Sequence, residues 1–119
     1  MSDCLFCRMV AGEIPTDVVH ETDRVLAFRD VNPQAPTHVL VIPKEHHPTV
    51  GALAAADPGL LAEVISAAHG IAVAEGLVGE DGAEPGYRLV TNTGPQAGQS
   101  VHHLHFHVLG GRRMQWPPG

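Results

Sequence analysis

Apolar residues recur with period two in some stretches of this chain and with helical spacing in others, and the changes of period mark its elements. Leu104, Phe106 and Val108 alternate with His103, His105 and His107 inside Gln99–Gly111, which predicts a half-buried strand. Successive side chains of a strand point to opposite faces, so the apolar set faces a core. The three imidazoles line the other face, roughly 6–7 Å from one to the next. Tyr87–Asn92 also alternates. Val18–Glu21 and Arg24–Arg29 read as two short strands about a tight turn at Thr22-Asp23. Thr37–Ile42 is almost wholly apolar or β-branched, as a strand buried on both faces should be, and Pro43 stops it.

Helical spacing governs two stretches. Asp57 can cap a helix with Pro58 at its first position, Leu60, Leu61, Val64, Ile65, Ala68, Ile71 and Ala72 as its buried stripe, and Gly76 as terminator. A short helix from about Cys4 to Ala11, capped by Asp3 and ended by Gly12, sets Cys4 and Cys7 on one face. A helical turn is expected within Pro48–Ala56. Asp30–Pro36, Gly79–Gly86 and Thr93–Gly98 read as loops. Strands, then a helix, then strands predict an α+β fold with an antiparallel sheet.

Composition narrows the function more than the fold. A chain of 119 residues is expected to form one domain, residues 1–119. Net charge is −6 with histidine neutral, and the seven Lys and Arg residues are scattered, so the basic stripe of a nucleic-acid-polymer binder is missing. A phosphate ligand would then be small and held by specific donors. Met1-Ser2-Asp3 opens without a basic and apolar leader, and no apolar run approaches a membrane span, so a cytoplasmic location is the default expectation. Cys4-Leu5-Phe6-Cys7 contains both cysteines. As a local pair it staples nothing distant, and it lacks the strand that precedes a thioredoxin-like redox motif.

His103-Leu104-His105-Phe106-His107-Val108-Leu109 resembles the signature of the histidine triad family, three histidines separated by apolar residues. Phe28–His38, Val41-Ile42-Pro43-Lys44, Gly98-Gln99-Ser100 and the ending Gly110-Gly111-Arg112 to Trp116-Pro117-Pro118-Gly119 extend the likeness over most of the chain. They resemble the branch of histidine triad nucleotide-binding proteins called Hint. The resemblance implies a five-stranded antiparallel meander with the long helix packed on it, and a homodimer joining two sheets. It implies a hydrolase that cleaves nucleoside 5′-phosphoramidates, purines preferred, through a covalent nucleotidyl-histidine. His105 is then the nucleophile, His107 and Ser100 the phosphate donors, and His103 the third member of the row. His38 completes a relay that protonates the leaving group. Asp30 would hold the ribose hydroxyls. Phe6, Met9, Ile14, Phe28, Val31 and Leu40 would form the apolar slot for the base, and Asn92 and Gln99 join the nucleotide contacts.

Neutral imidazole is a competent nucleophile at pH 7, and a covalent intermediate divides one hard step into two. No acidic cluster for magnesium is evident, so no catalytic metal is expected. Cys4, Cys7, His46 and His103 would make a four-ligand structural zinc site, with His47 as the alternative to His46. Two other functions compete: hydrolysis of dinucleoside polyphosphates within the same superfamily, and a non-catalytic nucleotide- or metal-binding adaptor. His102 departs from the family pattern by standing on the Leu104 face, while His20 and His69 are isolated.

Overall fold

A computed structural model describes residues 3–119; Met1 and Ser2, on which the expectation about a leader rests in part, lie outside the described residues. Helix α1 (Leu5–Val10) precedes strands β1 (Val18–Glu21), β2 (Val25–Arg29) and β3 (Thr37–Pro43). Helices α2 (Val50–Ala56) and α3 (Pro58–Ala74) follow, then β4 (Tyr87–Val90) and β5 (Phe106–Gly110). The strands form one five-stranded antiparallel sheet, as the resemblance implied, but in the order β1-β2-β3-β5-β4: β5 enters between β3 and β4, so the sheet is not a simple meander.

Strand β3 is buried along its whole length because both faces of the sheet are covered there. Val39 and Val41 face the larger core, where α3 contributes Leu60, Val64, Ala68 and Ile71, and β5 contributes Phe106 and Val108. Leu40 and Ile42 face a smaller cluster with Phe6 of α1 and Leu26 and Phe28 of β2. The functional residues gather on this second face. Asp57 caps α3 by accepting the Leu60 amide at 3.0 Å, with Pro58 behind it, as the sequence predicts.

Several boundaries differ from the expectation. The cap of α1 is Cys4, whose Sγ accepts the Cys7 amide at 3.3 Å, so the helix starts one residue beyond the one Asp3 would have capped. Ile65 is 41% exposed and stands outside the buried stripe of α3, while Leu61 is only partly buried. Strand β4 ends at Val90, short of Asn92.

The histidine stretch is a strand only from Phe106. Its last rung to β3 pairs Phe106 with Val41, and the chain before it leaves the ladder. Leu104 donates its amide to the His47 carbonyl at 2.7 Å, and the Pro43 carbonyl is taken by the His103 ring at 2.8 Å. Alternation of faces survives this departure: Leu104, Phe106 and Val108 lie in the larger core.

Candidate active site and metal centre

Four histidines converge beneath α1 and the β2–β3 loop, and their protons can be assigned from groups whose roles are fixed. A backbone amide can only donate and a carbonyl can only accept. His105 Nδ1 lies 2.8 Å from the His103 carbonyl, so Nδ1 carries the proton and Nε2 keeps its lone pair. The Thr91 hydroxyl donates to the His105 carbonyl at 2.9 Å and anchors this residue, which the ladder does not reach. Phe6 packs on the His105 ring in an edge arrangement, with centroids 5.1 Å apart.

The Gln34 amide donates to His38 Nδ1 at 3.0 Å, which leaves the neutral ring's proton on Nε2. That nitrogen is 2.8 Å from His107 Nδ1 and 3.4 Å from Asp30 Oδ2. His107 therefore accepts at Nδ1 and carries its own proton on Nε2, a buried atom with no partner among the described residues. An unsatisfied buried donor is costly, so this N–H is poised to take an acceptor. Burial, reinforced by the nearby His105 and His38, pushes the His107 pKa down to about 4. Burial also lowers that of His38, against the opposing pull of Asp30. Both rings are neutral at pH 7, as the assignment requires.

A pocket of about 260 Å³ opens over these groups. Phe6, Met9, Phe28 and Leu40 give it an apolar end, and Asp30, Ser100, His105 and His107 give it a polar one. Val31 is at the rim, 97% exposed. Ile14, Asn92 and Gln99 are not among its walls. Gln99 instead braces a loop, donating to the Pro48 carbonyl at 2.8 Å and accepting the Gly94 amide at 2.9 Å. Leu5 and Val101 line the pocket and were not singled out from sequence. Leu5 stands four residues before Met9, a helical spacing that carried the signal. A larger groove of about 840 Å³ lies between β1 and α3, but its Arg24 is already engaged with Asp57 and Glu63, at 2.6 and 3.6 Å.

His103 shares the face of the row and packs on Phe6, but it is not among the walls of the pocket. Its Nε2–H is committed to the Pro43 carbonyl, which turns the Nδ1 lone pair toward Cys4, Cys7 and His46. Cys4 Sγ and Cys7 Sγ lie 3.4 and 3.5 Å from that nitrogen, Cys7 Sγ 3.4 Å from His46 Nδ1, and the two imidazole nitrogens 3.2 Å apart. A tetrahedral zinc with bonds of about 2.3 Å to sulfur and 2.0–2.1 Å to nitrogen sets its ligand atoms roughly 3.3–3.8 Å apart. The donor set and its spacing fit such an ion, and the Pro43 carbonyl is the outer partner that orients a ligating histidine. His47 turns away, bonded to Glu45 at 2.7 Å. His102 is exposed, and His69 bonds the Tyr87 hydroxyl at 2.8 Å.

Comparison with known proteins places this arrangement. The chain is 51% identical to a HIT family hydrolase from Legionella pneumophila, with a TM-score of 0.90 over 98% of this chain and 100% of the other. A histidine triad nucleotide-binding protein from Candida albicans is 30% identical, with a TM-score of 0.81 over 97% and 83%. In sequence, a protein of Zea mays named 14 kDa zinc-binding protein is 46% identical over 99% of this chain and 89% of its own. The HIT domain model matches residues 11–114, and the chain belongs to the HIT domain family.

Proposed function

We propose that this protein is a Hint-branch hydrolase that cleaves the P–N bond of nucleoside 5′-phosphoramidates. One observation carries the reading: a single pocket presents one imidazole lone pair, on His105 Nε2, beside one unpartnered imidazole N–H, on His107 Nε2. Nucleophilic substitution at phosphorus needs this pair. The base enters the slot between Phe6, Met9, Phe28 and Leu40, and Asp30 accepts from the ribose hydroxyls. His105 Nε2 bonds to phosphorus as the amine leaves, taking the proton from His107 Nε2. His38 Nε2–H, donating to His107 Nδ1, stabilises the charge left on that ring. Water then attacks the nucleotidyl-histidine, gives a proton back to His107 Nε2 and releases the mononucleotide with His105 free. Ser100, exposed at the mouth of the pocket, adds a phosphate donor.

Turnover of adenosine 5′-phosphoramidate by wild type and His105→Ala, in chelator, tests this. Wild-type activity that falls by several orders of magnitude in the variant is expected. Activity untouched by the substitution would refute the nucleophile, and activity lost to chelator but kept by zinc-free Cys4→Ser/Cys7→Ser would refute a metal-free reaction.

We further propose that Cys4, Cys7, His46 and His103 hold a structural zinc, with all four positions filled by protein. The chemistry of the donor set and the zinc-binding name of the maize relative support it. The same name supports a second reading, a metal-binding adaptor using Asp30, His38 and His107, whose ligating atoms also cluster. Metal analysis of Cys4→Ser/Cys7→Ser separates them: loss of zinc is expected, and full retention would favour the adaptor. The proposed cytoplasmic homodimer rests on the family likeness. Among the described residues no helix is long and apolar enough to cross a membrane.

A further inference from the structure

The histidine relay does not end at His38. Its Nδ1 is held by a backbone amide, that of Gln34, in an irregular loop containing Pro33 and Pro36. Something must hold that amide in place, because a loop without ladder bonds has no regular register of its own. Asp30 and His38 close the loop through the Asp30 amide and the His38 carbonyl at 3.0 Å, and Asp30 Oδ1 takes the Asn32 amide at 2.9 Å. Neither bond reaches Gln34. Two contacts do: Gln34 Nε2 donates to the Asn32 carbonyl at 3.0 Å within the loop, and from the far end of the chain Arg112 donates from both Nε and Nη2 to the Gln34 carbonyl, at 3.3 and 3.1 Å. Its Nη1 is tied to the Arg113 carbonyl at 3.2 Å, which steadies the guanidinium.

The junction is tight as well as bonded. Thr37 pairs with Gly110 at the end of the β3–β5 ladder. The next residue, Gly111, has φ +90°, and a Cβ there would stand 2.8 Å from Cβ of Pro36. A glycine is needed both for that φ and for that approach. The chain therefore runs directly against the loop before Arg112 reaches over it.

We propose that Arg112 is a positioning residue for the reaction. By fixing the Gln34 carbonyl, on the other side of the Gln34 Cα, it restrains that residue and keeps the Gln34 N–H on His38 Nδ1, and so keeps the proton order His38 Nε2–H to His107 Nδ1 and leaves His107 Nε2–H for the substrate. Arg112 touches neither the pocket nor a reacting atom; it acts through Gln34 and His38. The planar fork delivers two parallel donors to one oxygen, which a lysine cannot do. This inference rests on the phosphoramidate reading for its kinetic consequences but not for its structural one.

The experiment therefore has two readouts on the full chain. In the free protein, the Gln34 amide proton is followed by NMR in wild type, Arg112→Met and Arg112→Lys. The wild-type signal should be shifted downfield and protected from exchange, with both features lost in Arg112→Met and partly kept in Arg112→Lys. An unchanged signal in Arg112→Met would overturn the proposal, whatever the substrate proves to be. With adenosine 5′-phosphoramidate, Arg112→Met should lower kcat about tenfold with little change in KM, the cost of losing the charge-assisted hydrogen bonding to Gln34 that the relay depends on. In a His38→Asn background the same substitution should have no further effect, because the group it acts through is gone. A full tenfold loss persisting in that background would show that Arg112 acts elsewhere.

Discussion

At the residue scale, the site is a line of imidazoles whose protons are ordered by two main-chain groups. The His103 carbonyl orients His105, and the Gln34 amide orients His38 and, through it, His107. In the proposed reaction His107 is both the phosphate donor and the proton carrier, and removing its ring would take away both. His107→Ala is expected to lower kcat by about a hundredfold or more, in the range seen for loss of one preorganised donor; a change of less than about threefold would contradict that role. The same ring gives the fold a pH dependence. Folded His107 titrates near 4, whereas the unfolded side chain titrates near 6.5, so the unfolded state binds more protons between those values. His38 is shifted in the same direction. Their stabilising effect is complete above pH 6.5 and is lost as pH falls toward 4. Denaturant midpoints measured across that interval should fall with pH in wild type and fall less steeply in His107→Gln. An equal slope would show that another group sets the dependence.

At the element scale, short α1 serves both sites. Phe6 roofs the apolar end of the pocket against Phe28 and His105, while Cys4 and Cys7, at the same helix, face His46 and His103. Losing zinc from Cys4→Ser/Cys7→Ser should therefore lower thermal stability and also weaken nucleotide binding; unchanged affinity would show that α1 stays docked without the ion. Asp57 acts apart from this, capping α3 and pairing with Arg24 at 2.6 Å. Asp57→Ala is expected to cost about 1 kcal/mol of stability, the usual value for a lost cap, and to leave turnover intact. The extent of each element in sequence follows from how far its pattern is local. Asp57-Pro58 and the apolar spacing that follows marked α3 because cap and stripe are both local signals. The alternation of Leu104, Phe106 and Val108 assigned the faces correctly, yet the strand starts only at Phe106. Its start is set by bonds to Pro43, His47 and Thr91, which are remote in sequence. Cys4 displaced Asp3 as the cap for a similar reason: a thiol rarely fills that position, but here it already faces the cluster.

At the scale of the whole molecule, the sheet separates two tasks. One face packs against α3 as the larger core, and the other carries the histidine row, the pocket and the cysteine–histidine cluster. The row, the likeness of the flanking stretches and the cluster were legible from sequence. The relay through Gln34 to Arg112 was not, because it joins residues 78 positions apart through main-chain atoms that leave no side-chain pattern. The proposed dimer would join the sheets of two copies, and β1 and β4 are the edge strands of this one. Sedimentation should give about twice the 12.6 kDa chain mass, and a monomer at all concentrations would remove that part of the account.

The most direct test of the central claim is to trap the intermediate. Wild-type protein mixed with excess adenosine 5′-phosphoramidate and quenched in alkali within the first turnover should carry one nucleotidyl group per chain. Peptide mapping should place that group on His105. A burst of amine release with the group found on another residue, or turnover with no covalent adduct at any time, would contradict the assignment of His105 Nε2 as the nucleophile.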